Sequence, residues 1–157
     1  MWTTLTAAGG LVVLDGRLLM VRQRRAYGTF WETPSGYHEP GETLEQTTAR
    51  ELLEETGVEV EVGQLVCTLV WERESDHRRN IIAWFQADPI EADPQPRPQI
   101  EEDISAAAFV DPATLDGVHP LEQPMLKRWW KGGETSFYVH ADVLVRPDGT
   151  QDYRFRR

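Results

Sequence analysis

The chain has 157 residues, 40% hydrophobic and 27% charged, a balance that suits one globular domain and excludes an intrinsically disordered chain. Its net charge of −10 argues against general binding to nucleic acid or to an acidic membrane, both of which need a basic surface. Met1 to Leu14 lacks the basic start and apolar stretch of a signal peptide, and no run approaches the roughly 18 apolar residues of a membrane span, so a cytoplasmic location is the default expectation.

Apolar residues from Thr6 to Leu14, the Asp15-Gly16 pair and Leu18 to Val21 read as two strands joined by a tight hairpin. Tyr27 to Pro40 carries Gly and Pro punctuators among aromatics and reads as a long, partly rigid loop. A helix follows over residues 43–56, with Thr43 and Gln46 as a capping box and Gly57 as the stop. Val58 to Trp71 and Ile81 to Ala87 read as strands, with the charged Glu72 to Asn80 segment as the turn between them. The lone cysteine, Cys67, sits in an apolar run and reads as core packing, which leaves neither a disulfide nor a thiolate metal cluster.

Asp88 to Gln99 holds four prolines and reads as an irregular loop. A short strand near Ala107 to Val110, a helix near Leu121 to Lys131, and a final hairpin of Phe137 to Val145 and Gln151 to Phe155 complete the chain. Strands mixed with two helices predict an α/β domain, its mixed sheet covered by helices. Residues 135–157 look like a C-terminal hairpin extension, suited to covering the sheet or to a homodimer contact.

Glu51, Glu54 and Glu55 stand at i, i+3 and i+4 of the first helix, so their carboxylates share one face, while Ala49, Leu52 and Leu53 occupy a roughly opposite arc. An ordinary solvated face can look the same. Concentrated carboxylates also suit an oxygen-liganded divalent ion.

The wider pattern runs Gly36, five residues, Glu42, seven residues, then Arg50-Glu51-Leu52-Leu53-Glu54-Glu55-Thr56-Gly57-Val58. It resembles the Nudix box at every defining position, and Trp31 and Pro34 before it and the apolar hairpin extend the resemblance to residues 3 to about 131. One departure is Ser35 where members often have a first glycine, a change a tight turn tolerates. The resemblance implies a Nudix-type α/β/α sandwich and Mg2+- or Mn2+-dependent hydrolysis of a nucleoside diphosphate linked to another moiety. By position, Glu51, Glu54 and Glu55 look like metal ligands, and Glu42 like the loop glutamate beside the metals. Arg50 resembles the arginine that orients a helix carboxylate, and Gly36 would allow close approach of backbone to metal or phosphate.

The general base varies within the family; candidates are Glu51, Glu101, Glu102 and Asp103, with Glu102 favoured. Arg22, Arg24 and Arg25 follow the second strand, where guanidiniums could hold phosphates. Tyr27, Tyr37, Trp71 and Trp84 could stack on a base or pack in the core, while Arg73, Arg78 and Arg79 read as turn decoration. Subgroup signatures are absent, so a small nucleotide-type substrate is expected without its identity. A non-catalytic ligand-sensing Nudix domain is the alternative, although such domains tend to have a broken box. An isopentenyl-diphosphate isomerase would need an active-site cysteine, which the position of Cys67 disfavours.

Overall fold

The structure is a computed structural model that describes all 157 residues, apart from the side chain of Glu101. Nine strands form one curled mixed sheet: β1 (Thr3–Leu14), β2 (Arg17–Arg25), β3 (Gly28–Glu32), β4 (Ser35–Tyr37), β5 (Val60–Arg73), β6 (Arg78–Pro89), β7 (Ile104–Val110), β8 (Phe137–Val145) and β9 (Gln151–Phe155). The main path runs β3-β2-β1-β6-β5-β8-β9, with β4 added to β1 and β7 to β2. The β1–β2 hairpin closes through Asp15 and Gly16, at φ 51° and 72°, the positive values that a two-residue turn of this hand requires. The long β1 pairs with β4 and β6 early and with β2 at its end. The sheet therefore splits into two wings with a cleft between them.

The helix α1 (Leu44–Thr56) covers one face, packing Leu52 with Val12, Leu19, Val58, Val60 and Ala87. On the other face Leu11, Leu18, Met20, Val66, Cys67 and Trp84 pack with Met125 and Leu126 of the second helical segment. Neighbouring residues such as Leu11 and Val12 thus face opposite layers, as a strand's period of two dictates. This is the α/β sandwich expected. Burial pushes the Cys67 thiol up to about 12, which keeps it unreactive.

Several local expectations are corrected. The predicted loop from Tyr27 contains β3 and β4, because five residues pair with β2 and three with β1 despite the Gly and Pro around them. The turn after β5 shrinks to a single tight helical turn, Glu74–Asp76, and both flanking strands run further. β7 begins at Ile104 rather than Ala107. The second helix, α2 (Gln123–Met125), starts at Gln123 and widens into a π-helical stretch over Leu126–Lys131.

Candidate active site

The helix that carries the acidic residues is set at both ends. Thr43 Oγ1 accepts from Gln46 N at 3.1 Å while Thr43 N donates to Gln46 Oε1 at 2.8 Å, and Gly57 N donates to Leu53 O. Its buried face is Thr47, Thr48, Leu52, Glu55 and Thr56, and not the arc of Ala49, Leu52 and Leu53, since Leu53 is 47% exposed. Threonines serve there because Thr48 and Thr56 return their hydroxyls to Leu44 O and Leu52 O, leaving their methyls to pack. The carboxylates are correspondingly graded. Glu54 lies in solvent, Glu51 is largely covered, and Glu55 is buried.

Arg50 binds the preceding loop to this helix. Its Nε and Nη2 donate to Glu42 at 2.7 and 3.0 Å, Nη1 to Glu51 at 2.8 Å and to Glu54 at 3.3 Å, and Nη2 to Tyr37 O at 2.9 Å. The guanidinium holds the Glu42 carboxyl down at about 2, aided by donors from Glu39 N and Thr47 Oγ1. Burial raises the Glu51 carboxyl, with Arg50 opposing. Burial raises Glu55 well above the usual range, and the charges of Glu51 and Glu32 add to it.

Three observations show that these residues fit divalent metal. Glu55 Oε2 is buried without a hydrogen-bond partner. A Cβ at Gly36 would lie 2.0 Å from Glu51 Cδ, so only glycine leaves the backbone and that carboxylate side by side. The donors are all hard oxygens, the set that magnesium and manganese take. As they stand, Glu51 and Glu54 are turned onto Arg50, and among the described residues no three acidic, His or Cys side chains are arranged to hold an ion.

The acidic face opens into a cavity of about 280 Å³. Near α1 it is lined by Ser35, Gly36, Glu51, Glu55, Gln23 and Glu102. Glu102 lies close enough for its charge to reach Glu51. Asp103 is engaged by Arg24 at 2.7 Å, and the side chain of Glu101 lies outside the described residues. Tyr37, Trp71, Asn80 and Trp84 line the cavity as well. Asn80 is 4% exposed, donates Nδ2 to Tyr37 Oη at 3.1 Å, and leaves Oδ1 without a partner.

Arg22 and Arg24 do not line this cavity, whereas Gln23 and Arg25 do. Alternate strand residues face opposite ways, so the arginine pair and the Gln23–Arg25 pair cannot share a face. Arg25 makes a two-pronged bond to Glu32 at 2.9 and 2.6 Å. Sequence reasoning also missed a buried polar floor. Glu122 Oε1 accepts from Thr33 N at 2.8 Å and Thr33 Oγ1 at 2.6 Å, and Trp84 Nε1 donates to Thr33 Oγ1 at 2.9 Å. Burial and the Glu32 charge raise Glu122. His119 Nδ1 accepts from Leu121 N at 3.1 Å, which leaves Nε2–H for Tyr27 Oη at 3.0 Å, and burial lowers the ring to about 4. Thr33 and Glu122 lie 89 residues apart, so no local pattern could have signalled them. Arg73 and Arg78 are more than turn decoration, since Arg73 lines the cavity and Arg78 donates to Tyr37 Oη.

A curled mixed sheet split by a cleft, with a capped acidic helix at its mouth, defines a Nudix-type α/β domain. The chain belongs to the Nudix family: residues 4–129 match the NUDIX domain. It is 48% identical over 62 residues to a "MutT-like protein" of Streptomyces ambofaciens, covering 40% of this chain and 39% of that one. It is 34% identical over 85 residues to the "Oxidized purine nucleoside triphosphate hydrolase" of Danio rerio, covering 54% of each. The chain thus spans about a third to a half of the length of such relatives. Among solved structures, a NUDIX hydrolase from Nitrosomonas europaea superposes with a TM-score of 0.68 at 22% identity, covering 89% of this chain and 81% of that one. Among the described residues no helix is long and apolar enough to cross a membrane.

Proposed function

We propose that the protein hydrolyses a diphosphate linkage in a small nucleotide-type substrate, using divalent magnesium or manganese held by Glu51, Glu54 and Glu55. The observation that carries this reading is the buried, unpartnered Glu55 Oε2 beside Glu51 and the Cβ-free Gly36. A buried carboxylate oxygen without a donor is costly, and a cation satisfies it. When bound, such ions withdraw charge from phosphorus, offset repulsion between substrate and acidic protein, and acidify the attacking water.

The protein's own groups have separable tasks. Arg50 holds Glu42 against the helix and orients Glu51 through Nη1. Glu102 accepts the proton of the attacking water on a carboxylate oxygen; it lines the cavity together with Glu51, whose own Oε1 is engaged by Arg50. Tyr37, Trp71 and Asn80 line the same cavity, where flat rings suit a base and Asn80 Oδ1 suits a ligand N–H or O–H. The name of the Danio rerio relative puts purine nucleoside triphosphates first among substrates to try.

The test is phosphate or nucleotide release, with magnesium, from nucleoside triphosphates, ADP-ribose, nucleotide sugars and dinucleoside polyphosphates. Glu54→Gln should cut turnover of the active class by at least about a hundredfold. A protein that binds nucleotide but turns over nothing in the panel would be a sensor domain, and the hydrolase reading would fall.

A further inference from the structure

The NUDIX match ends at residue 129, yet the cavity continues onto the hairpin β8–β9 beyond it. β8 lies parallel to β5 in the register Trp71↔Ala141 and Arg73↔Val143, and β9 follows with Val143↔Tyr153 and Val145↔Gln151. Directly paired residues present their side chains to one face. The sheet face that carries Arg73 and Val143 therefore continues to Tyr153, and Val143 and Gln151 line the same cavity as Glu51 and Glu55. Tyr153 also packs edge-on against His119, with ring centroids 5.5 Å apart.

Gln151 Nε2 and Trp71 Nε1 differ from the other side-chain nitrogen donors that line this cavity, which already have acceptors among the described residues. Arg25 is held by Glu32, Arg73 by Asp76, Asn80 Nδ2 by Tyr37 Oη, His119 Nε2 by Tyr27 Oη, and Gln23 Nε2 by Glu102 O. Gln151 instead accepts on Oε1 from Tyr153 Oη at 3.0 Å. That bond fixes the amide's oxygen and leaves the two N–H donors of Nε2 on the opposite edge.

We propose that the C-terminal hairpin is a substrate-selecting wall of this site, with Gln151 Nε2 donating to an oxygen or ring nitrogen acceptor on the moiety attached to the diphosphate. Tyr153 acts as a positioning residue that holds the amide in that orientation. The inference rests on the hydrolase reading above and adds a specificity residue to it.

Steady-state kinetics on the same substrate panel, with magnesium, test it in the full chain. Gln151→Leu is expected to raise KM for the preferred substrate by about tenfold, the loss of one hydrogen bond, with kcat within about threefold. Panel members lacking an acceptor should be unaffected, so the ranking changes. Tyr153→Phe should shift KM the same way by less, and Gln151→Asn should recover part of the loss. Melting curves on each variant separate this from a packing defect, which would lower kcat across the panel together with the melting temperature. The proposal is overturned if Gln151→Leu leaves kcat/KM within twofold on every substrate while Glu54→Gln abolishes turnover. It also falls if all substrates lose equally. If the parent turns over nothing, the hydrolase reading fails, and this inference with it.

Discussion

Replacing Arg50 by alanine removes the only cation that contacts Glu42, Glu51 and Glu54 among the described residues. The Glu51 bond, 2.8 Å long, is made on a side chain only 13% exposed, so solvent screens it least of the three. A hydrogen bond between charged groups contributes about 1.5–3 kcal/mol, and partial exposure of the guanidinium reduces that to about 1–2 kcal/mol. In a domain of this size each kcal/mol moves the melting temperature by about 2–4 °C. Arg50→Ala should therefore melt about 2–8 °C lower in metal-free buffer, as read by differential scanning fluorimetry. Magnesium or manganese should restore part of that loss, because a cation again separates the carboxylates. Turnover should fall by about a hundredfold, since Glu51 loses its orientation. Arg50→Lys should be intermediate, because an ammonium keeps the charge without the two-pronged grip on Glu42. Should Arg50→Ala melt within about 1 °C of the parent without metal, the account of Arg50 as the clasp of this site is wrong.

Gly36→Ala should cut turnover about a hundredfold and lower the melting temperature by up to about 8 °C, because the new Cβ, 2.0 Å from Glu51 Cδ, pushes that carboxylate off Arg50. Asn80→Leu should leave stability unchanged or improved, since it removes a buried oxygen without a partner, but weaken nucleotide binding by about tenfold in titration calorimetry. His119 makes stability depend on pH. Its folded pKa of about 4 lies below its ordinary 6.5, so between those values the unfolded chain binds the extra proton and stability falls as pH drops. Urea unfolding of the parent against His119→Gln should show a difference that declines by about 3 kcal/mol from pH 7 to pH 4; a constant difference would mean the ring is not held neutral.

How much of this was legible in the sequence depends on how local each signal is. The helix was legible because its cap, its stop and its i, i+3, i+4 carboxylates all lie within fifteen residues of Thr43 to Gly57. Its depth was not. Glu55 looked like one more solvent-facing acid, but the strand β4 lies over it, and Leu53 took the exposed place instead. β3 and β4 were hidden because their pairing partners, and not their own residue preferences, make them strands. Arg22 and Arg24 attracted attention as charges, while strand parity gives the cavity to Gln23 and Arg25. Glu32 meets His119 and Glu122 only because the fold brings β3 against the segment before α2, which no spacing in the chain announces.

The electrostatics of the cavity also constrain the order of binding. Glu32, Glu51 and Glu102 line it, with Glu55 and Glu122 whose carboxyls burial raises, against the guanidiniums of Arg25 and Arg73, each already held by a carboxylate. A diphosphate entering alone would meet an excess of like charge in a chain of net charge −10. Bound metal therefore relieves the repulsion of the substrate, and each must tighten the other's binding by the same factor. The affinity of the protein for a non-hydrolysable nucleotide should rise with magnesium, and its affinity for magnesium should rise equally with the nucleotide. In Glu55→Gln, with one ligand charge removed, that reciprocal gain should shrink in both directions.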